Sequence, residues 1–184
     1  MSQPRIAPVG PDLGEPLKSA MAKVFPLPLP APMLYRTVAR NESLFVDLVE
    51  RRVIGRTGLL DRKTFPPALR ELLILRTCVA ARNDYEFNLH EKTISEMMGL
   101  TRAQIDDVKN TQVSEELWSE KERALIALVD GLVEHIDVDQ LVFDEARRHF
   151  AEEELVELTL LIGLYTSVSM VVALARPEHD AYGG

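Results

Sequence analysis

Apolar residues recur at three- and four-residue intervals along most of the chain, and no stretch of useful length alternates apolar with polar as a strand would. The pattern predicts helices throughout. A short one covers residues 13–25 and is closed by Pro26, Pro28, Pro30 and Pro32, which favour an extended, polyproline-like crossing. Pro32 then fits the first position of a helix running to about residue 39. Asn41 suits the N-cap of the next helix, which places Leu44, Phe45, Leu48 and Val49 on one face and is stopped by Gly55 and Gly58. Thr64, Phe65, Pro66 and Pro67 open a helix whose apolar positions Leu69, Leu72, Leu73, Leu75 and Val79 are dense enough for the centre of a bundle. The polar break Arg82-Asn83-Asp84 separates it from a helix expected to reach Met98 and to end at Gly99 as its C′ glycine.

Two capping boxes, Thr101 with Gln104 and Ser119 with Glu122, each announce a further helix. Helices over residues 138–150 and 154–175 complete the set. The expected fold class is all-α, a bundle of about eight helices in a single domain over residues 1–184. The Gly/Pro-rich ends, residues 1–16 and 176–184, are expected as a loose arm and a loose tail, or as segments wrapped on a neighbouring subunit.

Residues 158–175 contain no charged side chain and are of borderline length for crossing a bilayer. Glu152, Glu153, Glu154 and Glu157 precede them, no basic cluster flanks them on that side, and Thr159, Gly163, Thr166, Ser167 and Ser169 interrupt them. A helix apolar all round also suits the centre of a bundle or a subunit interface, so a core helix and no membrane association are expected. A net charge of −8 argues against nucleic acid and against anionic membranes as partners. Cys78 is the single cysteine, so an intramolecular disulfide and a cysteine-based metal cluster are both excluded. One thiol suits a reducing compartment, and the first sixteen residues lack the apolar stretch of a signal peptide, which makes the cytoplasm the expected location.

The chemistry concentrates between Glu71 and His90. Glu86 and His90 stand four residues apart and therefore share one face of their helix, one turn apart. Glu71 opens the preceding apolar run, with Leu75, Cys78 and Arg82 along roughly the same stripe. The short connection through Asn83 and Asp84 folds the second helix back antiparallel against the first. Burying such charges costs several kcal/mol, to order of magnitude, unless they are paired or neutralised. Either Glu71, Glu86 and His90 satisfy one another as a structural knot, or they move protons. His90 is the candidate general acid or oxyanion donor, since its reference pKa lies nearest neutrality. Glu86 is placed to orient its ring or relay a proton, and Glu71 is the second carboxylate. Arg82 is a candidate anion clamp, with Arg70 and Arg76 as competitors. Tyr85 and Cys78 are candidate lining residues, although Tyr85 also reads as packing and a lone buried cysteine as a small hydrophobe. Trp118 reads as a loop anchor, and His135, His149 and His179 show no metal-ligand spacing.

The run from Arg70 and Glu71 through Tyr85, Glu86, Phe87, Asn88, Leu89 and His90 to Gly99, Leu100, Thr101 and Ile105 resembles the carboxymuconolactone decarboxylase family. That family belongs with the alkyl hydroperoxide reductase D-like proteins. The resemblance implies a multi-helix bundle of that type, with an antiparallel helix pair carrying the site. It also implies a homo-oligomer (dimer, trimer or hexamer). The redox branch carries Cys-x-x-Cys, and its cysteine positions fall here on Asn83 and Glu86, its histidine on His90 and its glutamate on Glu71. Neither Asn nor Glu forms a thiolate, so dithiol peroxidase chemistry is unavailable at this site. The decarboxylase branch implies a lyase of aromatic-compound catabolism that needs no cofactor or metal. It would release carbon dioxide from a small unsaturated lactone acid, with electrons flowing through the double bond into the lactone carbonyl. Two further classes stay open: a peroxidase resting on Cys78, and a non-catalytic oligomer that binds a small acidic or aromatic ligand.

Overall fold

The computed structural model describes residues 4–25, 31–55 and 58–181. Pro26, Pro28 and Pro30, expected as an extended crossing, lie outside the described residues. Among the described residues there are nine α-helices and no strand: α1 (Leu17–Val24), α2 (Met33–Val38), α3 (Glu42–Glu50), α4 (Pro67–Ala80), α5 (Asp84–Thr93), α6 (Arg102–Asp107), α7 (Glu120–Asp130), α8 (Gln140–His149) and α9 (Glu152–Ala175). The all-α reading holds. The chain divides into two compact units, residues 1–64 with 170–183 and residues 65–169, so α9 contributes residues to both.

In the first unit α3 packs on α1 and α2. Leu17, Ala20, Met21, Ala39, Phe45 and Val49 form its core. Tyr35 stands edge-on to Phe25 and Phe45, with centroids 4.7 and 6.5 Å away. The polar ends, expected as loose, are hydrogen-bonded where described. The amides of Arg5 and Ile6 donate to the Ala175 carbonyl, the Arg36 side chain donates to the Val9 carbonyl, and Asp180 accepts from the Met33 amide. Local propensity carries no information about such contacts, because their partners are far away in sequence.

In the second unit α4 is central, packing on α5 and α7, and α7 packs in turn on α8. Its side chains from Leu72 to Cys78 are all buried, which is why its apolar residues are not confined to one stripe. Arg76 is among them. Its Nε and Nη2 donate to the two carboxylate oxygens of Asp130 at 2.6 Å each, and its Nη1 donates to the carbonyls of Val108 and Asn110 at 2.8 and 2.7 Å. This bidentate clamp ties α4 to the end of α7 and to the segment after α6. Trp118 does anchor its loop, through Nε1 donating to Asp107 at 2.7 Å.

Both capping boxes form as expected, and Asn41 caps α3 by accepting from the Leu44 amide. Boundaries differ elsewhere. α1 begins at Leu17, after Pro16, and α3 ends at Glu50, ahead of Gly55 and Gly58. Pro32 is the extended residue before α2, not its first helical residue. The largest departure is α5, which stops at Thr93 although its pattern runs on to Met98. There the amides of Ile94 and Ser95 both donate to the His90 carbonyl, so the chain leaves the helix, and Gly99 completes the turn at φ +102°. α9 is not buried all round: Leu158, Leu161, Ile162, Tyr165 and Ser169 are buried, whereas Val156, Leu160, Met170 and Leu174 are exposed. By length and composition α9 could cross a bilayer, but one side of it is packed on protein.

The Arg76 clamp makes a specific expectation. Asp130→Ala should destabilise the protein by about 3 kcal/mol in urea unfolding, because it strands a buried guanidinium. A loss under about 1 kcal/mol would mean that the carbonyls of Val108 and Asn110 hold Arg76 unaided.

Candidate functional site

The hairpin of α4 and α5 is closed by two residues with separate duties. Arg82 takes the left-handed conformation at φ +55°, which turns the chain out of α4. The Asn83 amide then donates back to the Cys78 carbonyl, and the Asn83 side chain caps α5 by accepting from the Glu86 amide at 3.2 Å. Its Nδ2 donates to Ser169 on α9 at 3.0 Å. Asn83 is thus buried with both side-chain atoms engaged.

This closure brings Glu71 and His90 together. His90 Nδ1 donates to Glu71 Oε1 at 2.8 Å, and Ser95 Oγ donates to the same oxygen at 2.7 Å. On its other side His90 Nε2 lies 3.6 Å from Glu86 Oε1, an ion-pair distance beyond hydrogen-bond reach. Tyr165 of α9 stands perpendicular to the imidazole, with ring centroids 5.9 Å apart. Glu71 has no exposed surface, and Glu86 and His90 retain 5% and 4%. The second carboxylate oxygens, Glu71 Oε2 and Glu86 Oε2, are buried and accept no hydrogen bond. Buried acceptors are rarely left so.

Burial alone would push the imidazole toward neutrality. The charge and hydrogen bond of Glu71, with a smaller contribution from Glu86, outweigh it and hold the His90 pKa at about 9. For Glu71, burial works upward, but the His90 charge and the bonds from His90 and Ser95 keep its carboxyl below the usual range. His90 is therefore an imidazolium at neutral pH, bonded to one carboxylate and facing a second. That arrangement can donate a proton, or stabilise negative charge developing next to it.

The other predicted residues fare differently. Cys78 is 1% exposed, and burial together with the charges of Glu86 and Glu71 pushes its thiol well above the usual range. Arg82 is exposed at the turn, outside the buried set, because the left-handed residue that ends α4 points away from its stripe. Arg76 is committed to Asp130 and two carbonyls, and Arg70 is half-buried. Tyr85 is buried in the first turn of α5. The sequence reading missed Ser95, since a helix continued to Met98 would rotate it off the His90 face. It missed Tyr165 and Ser169 as well, although their four-residue spacing on α9 was visible. No group of His, Cys, Asp and Glu suited to a metal ion occurs among the described residues. A depression of about 210 Å³ lined by Lys23, Val49, Glu50, Arg52, Ile54 and Gly55 belongs to the first unit, not to the hairpin.

Residues 47–130 match the carboxymuconolactone decarboxylase family, a span that includes Glu71, Cys78, Glu86, His90 and Ser95. The fold is shared with a crystal structure from Agrobacterium tumefaciens at a TM-score of 0.62 and 23% identity, over 67% of this chain and 84% of that one. That neighbour is a protein of unknown function, proposed to be the antioxidant defence protein AhpD. The likeness to the carboxymuconolactone decarboxylase family is thus confined to residues 47–130, and the likeness to the AhpD-like neighbour is one of fold. No curated protein matches the chain. The matched span holds no Cys-x-x-Cys, Cys78 being the single cysteine.

Two expectations follow from the geometry. A histidine raised from 6.5 to about 9 contributes full stability below pH 6.5 and loses it as pH rises through about 9. Glu71, lowered from 4.5, contributes fully above pH 4.5 and loses it as pH falls through its folded value. Between pH 6.5 and about 9.5 the His90 contribution to wild-type stability should therefore fall by about 3 kcal/mol, while His90→Gln should show only the smaller loss near pH 9 that the raised Cys78 thiol causes in both proteins. Equal slopes in the two proteins would place the titration elsewhere. For Cys78, alkylation at pH 8 should be slower in the native protein than in urea by about two orders of magnitude. Comparable rates would show an accessible thiol.

Proposed function

We propose that the hairpin site carries out cofactor-free proton transfer of the decarboxylase type on a small unsaturated lactone or carboxylic acid. The observation that carries this reading is the buried His90 imidazolium, held by Glu71 and faced by Glu86, with one oxygen of each carboxylate accepting no hydrogen bond. Loss of carbon dioxide from such an acid breaks the bond to the carboxylate carbon and sends the electron pair through the double bond into the carbonyl. His90 then serves as donor to the developing dienolate oxygen, or as the proton source for the carbon. Glu71 keeps the imidazole charged at the pH where this is needed, and Ser95 fixes Glu71. Near-complete burial favours a small substrate, admitted by local opening about α5.

The antioxidant reading has support in the structural neighbour and opposition in the chemistry. A peroxidase needs an accessible low-pKa thiol, and Cys78 is buried beside two carboxylates that raise its pKa.

Both readings are tested with the same protein. Carbon dioxide release from unsaturated lactone acids should fall 10²–10⁴-fold in kcat for His90→Gln, about what general acid catalysis supplies. Glu71→Gln should move the alkaline limb of the rate profile down from about 9, because the imidazole loses its main partner. Release that persists unchanged in His90→Gln removes His90 from the reaction. Thiol-coupled peroxide consumption that disappears in Cys78→Ser would establish the antioxidant activity instead. Saturable binding of such acids without turnover would leave the ligand-binding class.

A further inference from the structure

The two carboxylates beside His90 are not equally provided for. Glu71 accepts from the imidazole at 2.8 Å and from Ser95 at 2.7 Å, and the charge of Arg70 also acts on it. Glu86 faces the imidazole across 3.6 Å, too far for a hydrogen bond, and its buried Oε2 accepts none. Oε2 shares its carboxylate with the Oε1 that borders this gap, so an unused acceptor stands next to the Nε2–H of the imidazolium. Glu71 has no exposed surface, whereas Glu86 and His90 keep 5% and 4%. An entering molecule therefore meets this acceptor and this donor first.

A ligand that satisfies both has to offer an acceptor to Nε2–H and a donor to Oε2, side by side. A carboxylate anion offers acceptors only, and it brings its charge to two carboxylates that share one imidazolium. A lactone offers its carbonyl oxygen but sets its ring oxygen, a second acceptor, against Oε2. A carboxyl group would fit with its proton on, but at neutral pH that proton is lost. An amide carries a carbonyl and an N–H on neighbouring atoms and stays neutral. We propose that the substrate presents an amide or lactam here, its carbonyl oxygen accepting from His90 Nε2 and its N–H donating to Glu86 Oε2. This rests on the reading of the hairpin as a decarboxylating site and narrows it. The carboxylate to be lost lies away from Glu86, and the electron pair enters an amide carbonyl instead of a lactone.

Four small rings of similar size make the comparison: α-pyridone, its lactone counterpart α-pyrone, N-methyl-α-pyridone and the furoate anion. NMR titration of the full chain, following the His90 ring protons, should give α-pyridone an affinity about 10- to 100-fold above each of the others, the range that a hydrogen bond to a charged group supplies. In Glu86→Met, which removes the acceptor, that preference should disappear. In Glu86→Gln, which keeps an acceptor, part of it should remain. Equal binding of α-pyridone and α-pyrone by the wild type, tighter binding of furoate, a preference that survives Glu86→Met, or no binding of α-pyridone would each overturn the proposal. Carbon dioxide release separates its failure from that of the parent reading. A lactam preference without release from any lactam acid keeps the binding assignment and removes the decarboxylation. Release from lactone acids with no lactam preference does the opposite.

Discussion

The ion pair between Glu71 and His90 sets the terms for the second unit. A carboxylate with no exposure in an apolar helix stays charged only where a cation and further donors meet it. α5 therefore has to run back along α4 far enough to bring His90 within 2.8 Å, and the chain after α5 has to turn in time to deliver Ser95. Compared with well-packed apolar residues the pair adds little net stability. It supplies selection, because a hairpin slipped by one turn would bury both charges unpaired. Arg76 does the same between α4 and α7, and its clamp explains why it was not free to hold an anion at the site.

The residues standing at the redox branch's cysteine positions have other work. Asn83 caps α5 and reaches Ser169, so that position now fixes the start of the helix. Glu86 has become a charge partner of His90. A cation beside a thiol promotes thiolate chemistry, whereas the same cation between two carboxylates becomes a proton held in reserve at about pH 9. The histidine and glutamate stand as in the redox branch, while the two cysteine positions hold a helix cap and a charge partner.

What could be read from the sequence follows the range of the signals involved. The Thr101 and Ser119 boxes, the Asn41 cap and the antiparallel hairpin depend on neighbours within a few residues, and each is as expected. The candidate site was legible for the same reason: Glu86 and His90 share a helix turn, and Glu71 stands out as a carboxylate in an apolar run. Ser95 was hidden because α5 unwinds at Thr93 against its own periodicity, drawn by a doubly accepting carbonyl at His90. Arg82 lies off the stripe expected for it because the left-handed turn has already ended the helix there. Burial on α9 was overestimated, since composition alone does not distinguish a helix covered on all sides from one covered on one.

α9 lies beyond the part of the chain that the family match covers. The family match ends at residue 130 and contains the acid–base frame of Glu71, Glu86, His90 and Ser95. What lies against that frame comes from beyond it: Tyr165 on the imidazole and Ser169 on Asn83, one turn apart on the buried face of α9. Residues that hold and charge His90 belong to the matched part of the chain, and residues that cover it do not. The family match therefore covers the charged frame of this hairpin, whereas the helix whose side chains pack on that frame lies beyond the match.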